Sequence, residues 1–160
     1  MINEQIKLFY STLDVVTISY DENTFTITEH VQLGLNDKTS YYPLEKVTIH
    51  FYDNGYYKME TKMLFEPPKY NLKMLHHIYN SNLTLLSKLQ KKIELTEREN
   101  KDLFHFSHTL MICYLNGFGD AKQKIIDAKP FLKAHSNPLV YLNFKDALRI
   151  LRKMKYNEND

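Results

Sequence analysis

The sequence predicts an α+β fold, in which an N-terminal antiparallel sheet of four or five strands is followed by a C-terminal bundle of four or five helices. Residues 1–66 carry short segments of alternating apolar and polar side chains separated by turn residues, which is the pattern of β-hairpins. Residues 67–160 repeat their apolar side chains every three or four positions, which is the pattern of helices. Because strands and helices do not alternate along the chain, a parallel doubly wound sheet is not expected.

The clearest hairpin spans residues 47–61 and turns at Asp53-Asn54-Gly55. A three-residue loop places Phe51 opposite Tyr57, whereas a two-residue loop places Phe51 opposite Lys58. A slip of one residue moves every side chain to the other face of a strand, so the apolar pairing predicts the three-residue loop. This loop requires Gly55 at a positive φ, as in a type I turn followed by a G1 bulge.

A second hairpin is predicted from residues 15–20 and 25–31. Pairing Tyr20 with Phe25 also sets Ile18 opposite Ile27, so the large apolar side chains share one face. Residues 3–13 fit either a short helix or a strand. Residues 32–44 show no period, and Tyr41-Tyr42-Pro43 ends them in a predicted exposed loop.

Two adjacent prolines after Glu66 divide the chain, because proline neither continues a helix nor donates to a sheet ladder. We expect a β-rich acidic lobe over 1–66 and a helical basic lobe over 67–160, joined in one compact unit. The first lobe has ten acidic residues and five lysines, a net charge of −5, and the second has sixteen basic and nine acidic residues, a net of +7. Such asymmetry predicts two electrostatically distinct faces.

The helical region contains several start and stop signals. Apolar residues repeat over 72–93, with a candidate break at Asn80-Ser81-Asn82. Thr96-Glu97-Arg98-Glu99 has the form of a capping box, and the helix that it starts is expected to end at Asn116-Gly117. A basic helix over 119–134 is expected to bend or end near Pro130. The last helix is expected to begin at Asn137-Pro138.

Composition narrows the class of protein. A single Cys, the lack of a long apolar run and an N-terminus without signal-peptide features predict a cytoplasmic protein without disulfides or membrane spans. Lys outnumbers Arg 18 to 3 and Asn is abundant at 13, which indicates AT-rich coding.

No pattern predicts a catalytic residue, a cofactor or a metal. His105 and His108 have the i, i+3 spacing at which two imidazoles can share a metal, but no motif supplies further ligands, so we interpret them as ordinary helix residues. Cys113 lies within an apolar helix and is interpreted as a core residue. Gly117-Phe118-Gly119 precedes a helix without the strand that a phosphate-binding loop needs.

Two sets of residues are candidates for binding. Tyrosine provides a rigid contact area with a polar tip. The tyrosines in and before the hairpin over residues 47–61 are therefore expected to form a protein-binding edge together with nearby acidic residues. This candidate edge consists of Tyr41, Tyr42, Tyr52, Asp53, Tyr56 and Glu60. The alternative is that helices cover this face of the sheet. Candidate phosphate-binding residues follow one face of the last helix, namely Lys145, Arg149, Arg152 and Lys153.

These observations favour a non-catalytic protein-binding module. An acidic, tyrosine-bearing surface suits a basic partner, such as a nucleic-acid-handling protein. Small size and AT-rich coding then suggest, by analogy, a phage or mobile-element inhibitor or accessory factor of the anti-CRISPR or anti-restriction kind. The first alternative is a nucleic-acid-binding protein that uses the basic C-terminal helices. The second is a small metal-dependent hydrolase or nuclease whose site assembles only in three dimensions.

Overall fold

The computed structural model describes residues 4–9, 14–35, 38–67 and 69–158, and, among these, the side chains of residues 16–31, 41–67 and 69–154. The chain divides into two compact units, with a boundary between Glu66 and Pro67 and with the short segment at 34–36 grouped with the second unit. The first contains the strands and the second contains the helices, which confirms the predicted α+β class. Within the described ranges, no helix is long and apolar enough to cross a membrane.

The strands form one five-stranded sheet in which neighbours along the chain are neighbours in space, in the order β1-β2-β3-β4-β5. The pairs β1–β2, β2–β3 and β4–β5 are antiparallel. The strands are β1 (Glu4–Phe9), β2 (Asp14–Asp21), β3 (Thr24–Leu35), β4 (Lys38–Phe51) and β5 (Tyr57–Met63).

Both predicted hairpin registers are confirmed. In β2–β3, Ile18 lies opposite Ile27 and Tyr20 lies opposite Phe25. In β4–β5, Phe51 lies opposite Tyr57. The three-residue loop is closed by a hydrogen bond from the Gly55 amide to the Tyr52 carbonyl (3.1 Å), and Gly55 has φ +86° as the turn requires.

Replacing Gly55 by valine is expected to lower the free energy of unfolding by about 1–3 kcal/mol, because a β-branched residue is strained at positive φ. No atom lies within 4 Å of the position that a Cβ would take, so strain in the backbone accounts for this loss rather than a clash. Urea denaturation measures it. The Gly55→Asn variant is the matched control, since asparagine tolerates the left-handed region, and it should lose less. Equal stability of the Val variant and the wild type would contradict the turn assignment.

The predicted loop over 32–44 is wrong, because β3 extends to Leu35 and β4 begins at Lys38. Tyr and Thr favour strands, and hydrogen bonding to a neighbouring strand stabilises a segment that has no alternation of its own. Of the two readings for residues 3–13, the strand is observed over Glu4–Phe9. Residues 3 and 10–13 lie outside the described residues.

The described part of the chain contains six helices, whereas four or five were expected. The first continues through the candidate break at residues 80–82, and Asn82 is accommodated there because its Nδ2 donates to Thr109 Oγ1 (2.9 Å). The predicted capping box is present, with Thr96 and Glu99 bonding reciprocally. The helices are α1 (Leu72–Gln90), α2 (Glu97–Phe104), α3 (Phe106–Leu115), α4 (Ala121–Asp127), α5 (Lys129–Lys133) and α6 (Pro138–Glu158).

Breaks within two predicted helices account for the additional ones. The first break is at His105, between α2 and α3, where the buried Asn143 donates its amide to the Phe104 carbonyl (2.8 Å) and so satisfies a helix-terminal acceptor. The second is at Ala128, and Pro130 then sits in the first turn of α5, near the predicted bend. α6 begins as predicted, with Asn137 Oδ1 accepting from the Leu139 amide (3.0 Å).

The core of the helical unit is centred on α3. This helix has buried residues on all sides, as expected of a segment packed against several neighbours. It packs against α1, α4 and α6. The buried apolar face of α6 includes Val140, Phe144 and Ala147.

Candidate protein-binding surface

A row of aromatic rings crosses one face of the sheet. Tyr20 on β2, Phe25 on β3, Phe51 on β4 and Tyr57 on β5 lie side by side, and we call these four residues the aromatic row. Successive ring centroids are 5.6, 5.7 and 6.2 Å apart. These separations are within the range of favourable ring–ring contact, so the row forms one continuous surface.

The sequence placed Phe51 and Tyr57 on one face of the hairpin, and this face was not among the predicted binding surfaces. Phe51 is 43% exposed and Tyr57 is 64% exposed, and the adjacent Met59 is 59% exposed. Alternation in a sequence identifies which side chains share a face but not what covers that face. Phe51 and Tyr57 therefore lie on the face that their register predicts, but they were not among the predicted binding residues.

The opposite face of the same hairpin also carries exposed rings. Tyr52 and Tyr56, which we call the tip pair, stand opposite each other next to the turn and are 52% and 73% exposed. The Tyr52 amide donates to the Tyr56 carbonyl (2.8 Å), which holds the two residues in register. Asp53 is exposed in the turn beside them, so three of the predicted edge residues are brought together.

The other predicted tyrosines lie elsewhere. Tyr41 and Tyr42 are near the start of β4, ten or more residues before Tyr52, which is on the order of 30 Å along a strand. Tyr41 is exposed, whereas the Tyr42 ring packs edge-on against Phe65 with centroids 6.3 Å apart. The structure therefore does not gather all the predicted tyrosines at one site.

Charged side chains follow the tip pair along β5. Glu60 Oε1 is 2.9 Å from Lys58 Nζ, and both side chains are exposed. Their hydrogen bond, followed by their opposite charges, raises the pKa of Lys58 and lowers the pKa of Glu60. Both groups are thus fully ionised at neutral pH and present a fixed charge pattern on this face.

The helical unit contains a buried ionic cluster that sequence inspection missed. His108 Nε2 lies 2.8 Å from Asp146 Oδ2, and Arg149 donates to Asp146 Oδ1 at 2.8 Å. Burial alone would raise the pKa of the Asp146 carboxyl, but the hydrogen bonds and charges of His108 and Arg149 outweigh it and lower that pKa. The sequence feature that could have revealed this cluster is the i, i+3 spacing of Asp146 and Arg149, with Asp146 on the apolar side of the last helix.

This cluster shows the bonding partners of two residues that the sequence analysis considered, His108 and Arg149. His108 faces a carboxylate and not His105, and among the described residues no three His, Cys, Asp or Glu side chains are placed to hold a metal ion. Among the candidate phosphate-binding residues, Arg149 is bonded to the buried carboxylate of Asp146. Lys145 is exposed with its Nζ 5.0 Å from the centroid of the Tyr141 ring, Arg152 is exposed, and Lys153 is partly buried.

Cys113 is buried, as predicted for a core residue. Burial raises the pKa of its thiol to about 11, so only a minute fraction is thiolate at neutral pH. Its Sγ lies 3.9 Å from the Leu75 carbonyl oxygen. This environment does not activate the sulfur as a nucleophile.

The fold and these surfaces define an α+β protein with an aromatic face exposed on an antiparallel sheet, followed by a helical unit with a buried ionic cluster. A family model described as a domain of unknown function, DUF5929, matches residues 1–157. The chain belongs to this family. Neither a search of curated proteins nor a search of solved structures found a match.

Proposed function

We propose that this chain is a non-catalytic protein-binding module that engages its partner through the β4–β5 hairpin and the aromatic row. The observation that carries the proposal is the exposure of large rings on one face of the sheet. The exposed parts of Phe25, Phe51, Tyr57 and Met59 amount to roughly 400 Å², taking about 200 Å² for a whole side chain. That is about half of the ~800 Å² that each partner buries in a standard interface.

The proposed site also includes the tip pair with Asp53 and Glu60. Aromatic residues are the commonest anchors of binding energy, and acidic residues at the rim select and orient a partner of opposite charge. The net charge of −5 over residues 1–66 favours a basic partner. A protein that handles nucleic acid presents a basic surface of this kind.

The narrower proposal is an inhibitor or accessory factor from a phage or mobile element, acting on a nucleic-acid-processing host protein as anti-CRISPR and anti-restriction proteins do. Small size, the acidic charge of residues 1–66 and AT-rich coding support it by analogy. The alternative is a nucleic-acid-binding protein that uses Lys145 and Arg152, which are exposed on α6.

Affinity capture from a low-GC bacterial lysate, with and without nuclease, separates these functions. A protein-binding module should retain the same partner after nuclease treatment, and the Lys145→Glu/Arg152→Glu variant should retain it as well. A nucleic-acid binder should lose its partners to nuclease and to the charge reversal, because each phosphate contact contributes to a steep salt dependence. Loss of all captured protein after nuclease treatment would overturn the proposal.

A further inference from the structure

The outer edge of the sheet at β5 is open along its backbone. In the sheet order, β5 is the last strand and has β4 as its only neighbour in the described part of the chain. The Tyr52 amide bonds to the Tyr56 carbonyl, and the Leu64 amide bonds to the Leu44 carbonyl (2.9 Å). Since hydrogen-bonded and non-hydrogen-bonded pairs alternate in an antiparallel ladder, even-numbered residues of β5 bond to β4.

It follows that the odd-numbered residues direct their amides and carbonyls away from β4. These residues are Tyr57, Met59, Thr61 and Met63, whose side chains share the face of the aromatic row. An edge of this kind is a template for another strand, and proteins commonly protect such edges with charged side chains. On β5 the charges are mixed in sign, with Lys58, Glu60 and Lys62 alternating on the other face.

This charge pattern determines which strand fits. If two copies of β5 pair antiparallel with Glu60 at the centre, Glu60 meets Glu60 and Lys58 meets Lys62. With Lys58 at the centre, Lys58 meets Lys58. Like charges directly opposite destabilise a strand pair, so both registers are disfavoured.

With Met59 at the centre, each Lys58 instead lies opposite the Glu60 of the other copy. The ion pair already present between Lys58 and Glu60 then extends into a cluster of four alternating charges. A register centred on Thr61 also pairs opposite charges, through Glu60 and Lys62, but it carries the pairing beyond Met63, where β5 ends. The Met59 register stays within the exposed part of the strand.

We propose that two copies of this chain associate through antiparallel pairing of their β5 strands, with the two-fold axis at Met59. Three residue pairs then exchange backbone hydrogen bonds, namely Tyr57 with Thr61, Met59 with Met59 and Thr61 with Tyr57. The result is a continuous ten-stranded sheet. Because strands add at the edge, the pairing leaves the exposed aromatic row uncovered, so this inference does not rest on the proposed function and is tested without any partner.

Cysteine cross-linking tests the axis. In this register the two copies of residue 59 have Cα atoms about 5.5 Å apart, which is within disulfide range. The Met59→Cys variant should therefore form a disulfide-linked dimer under mild oxidation. Thr61→Cys is the matched control, because two copies of residue 61 are about 14 Å apart along the strands and should not link. The wild type, with only the buried Cys113, should also remain unlinked.

Charge reversal tests the register without cysteine chemistry. Lys58→Glu and Glu60→Lys each place like charges opposite one another, so each variant alone should dimerise about tenfold more weakly than the wild type, as measured by sedimentation equilibrium. An equimolar mixture of the two should recover heterodimers, because both opposite-charge pairs are restored between the different chains. Both side chains are exposed, so the variants are expected to fold normally.

A wild type that sediments as a monomer at millimolar concentration would overturn the proposal. So would cross-linking of Thr61→Cys as fast as Met59→Cys, or a mixture of the charge variants that dimerises no better than either alone. Retained partner capture together with a monomeric wild type would reject only the dimer. Loss of partner capture with an intact dimer would reject only the proposed function.

Discussion

Replacing Asp146 by asparagine is expected to lower the free energy of unfolding by about 3–5 kcal/mol at neutral pH, the cost of removing one partner from a buried ion pair. Asp146 is 5% exposed and accepts hydrogen bonds from both His108 and Arg149. The asparagine amide has the same shape but only one oxygen, so it can accept only one of the two hydrogen bonds. Without the carboxylate, His108 and Arg149 also lose their counter-charge. Urea denaturation of the two proteins measures the difference.

The pH dependence of this difference gives a second test. The folded-state pKa of Asp146 is lowered from its ordinary value of 3.8, so its stabilising contribution is present above pH 3.8 and is lost as the pH falls through the folded-state value. The difference in the free energy of unfolding between wild type and variant should therefore be constant near neutral pH and should decrease in strong acid. Arg152→Met, at an exposed position of the same helix, should change stability by no more than about 0.5 kcal/mol. A loss below about 1 kcal/mol for Asp146→Asn would contradict this account of the cluster.

Removing both Phe51 and Tyr57 side chains is expected to weaken partner binding about 1000-fold. Aromatic hot-spot residues contribute about 2 kcal/mol or more each, and every 1.4 kcal/mol is tenfold in Kd. Because the Tyr57 ring is 64% exposed, its loss should affect affinity much more than folding. Titration of the captured partner against the Phe51→Ala/Tyr57→Ala variant measures the effect.

The tip pair is the matched control on the opposite face of the hairpin. Tyr52→Ala/Tyr56→Ala also removes two exposed rings, but in the described residues these rings are not part of a longer aromatic row. We expect a smaller loss, on the order of tenfold. A larger loss at the tip pair than in the aromatic row would transfer the binding face to the other side of the sheet. Unchanged affinity in both variants would contradict the proposed function.

Local chemistry made much of the fold predictable. The Gly55 turn, the capping box at Thr96 and the start of the last helix at Asn137 each depend on residues adjacent in sequence, and each is found where the pattern indicated. Pairing of the hairpins was predictable for the same reason, because a one-residue slip would move every side chain to the other face.

The errors share a different cause. The strand over residues 38–44 depends on a neighbouring strand, and the break at His105 coincides with an amide from Asn143, thirty-nine positions from its acceptor Phe104. Neither partner is near in sequence. Periodicity reports the shape that a segment prefers in isolation, and it contains no term for contacts made by distant residues.

For the candidate site, the sequence by itself determined that Phe51 and Tyr57 share one face and that Tyr52 and Tyr56 share the other. It indicated as well that Lys58 and Glu60 lie on the side of Tyr52 and Tyr56. Only the tertiary structure decided that the first pair is exposed, that Tyr41 and Tyr42 lie far along the strand, and that Arg149 is held by Asp146. The physical reason is that register follows from the two-residue period of a strand, whereas exposure and ion pairing depend on which distant segments pack against each face.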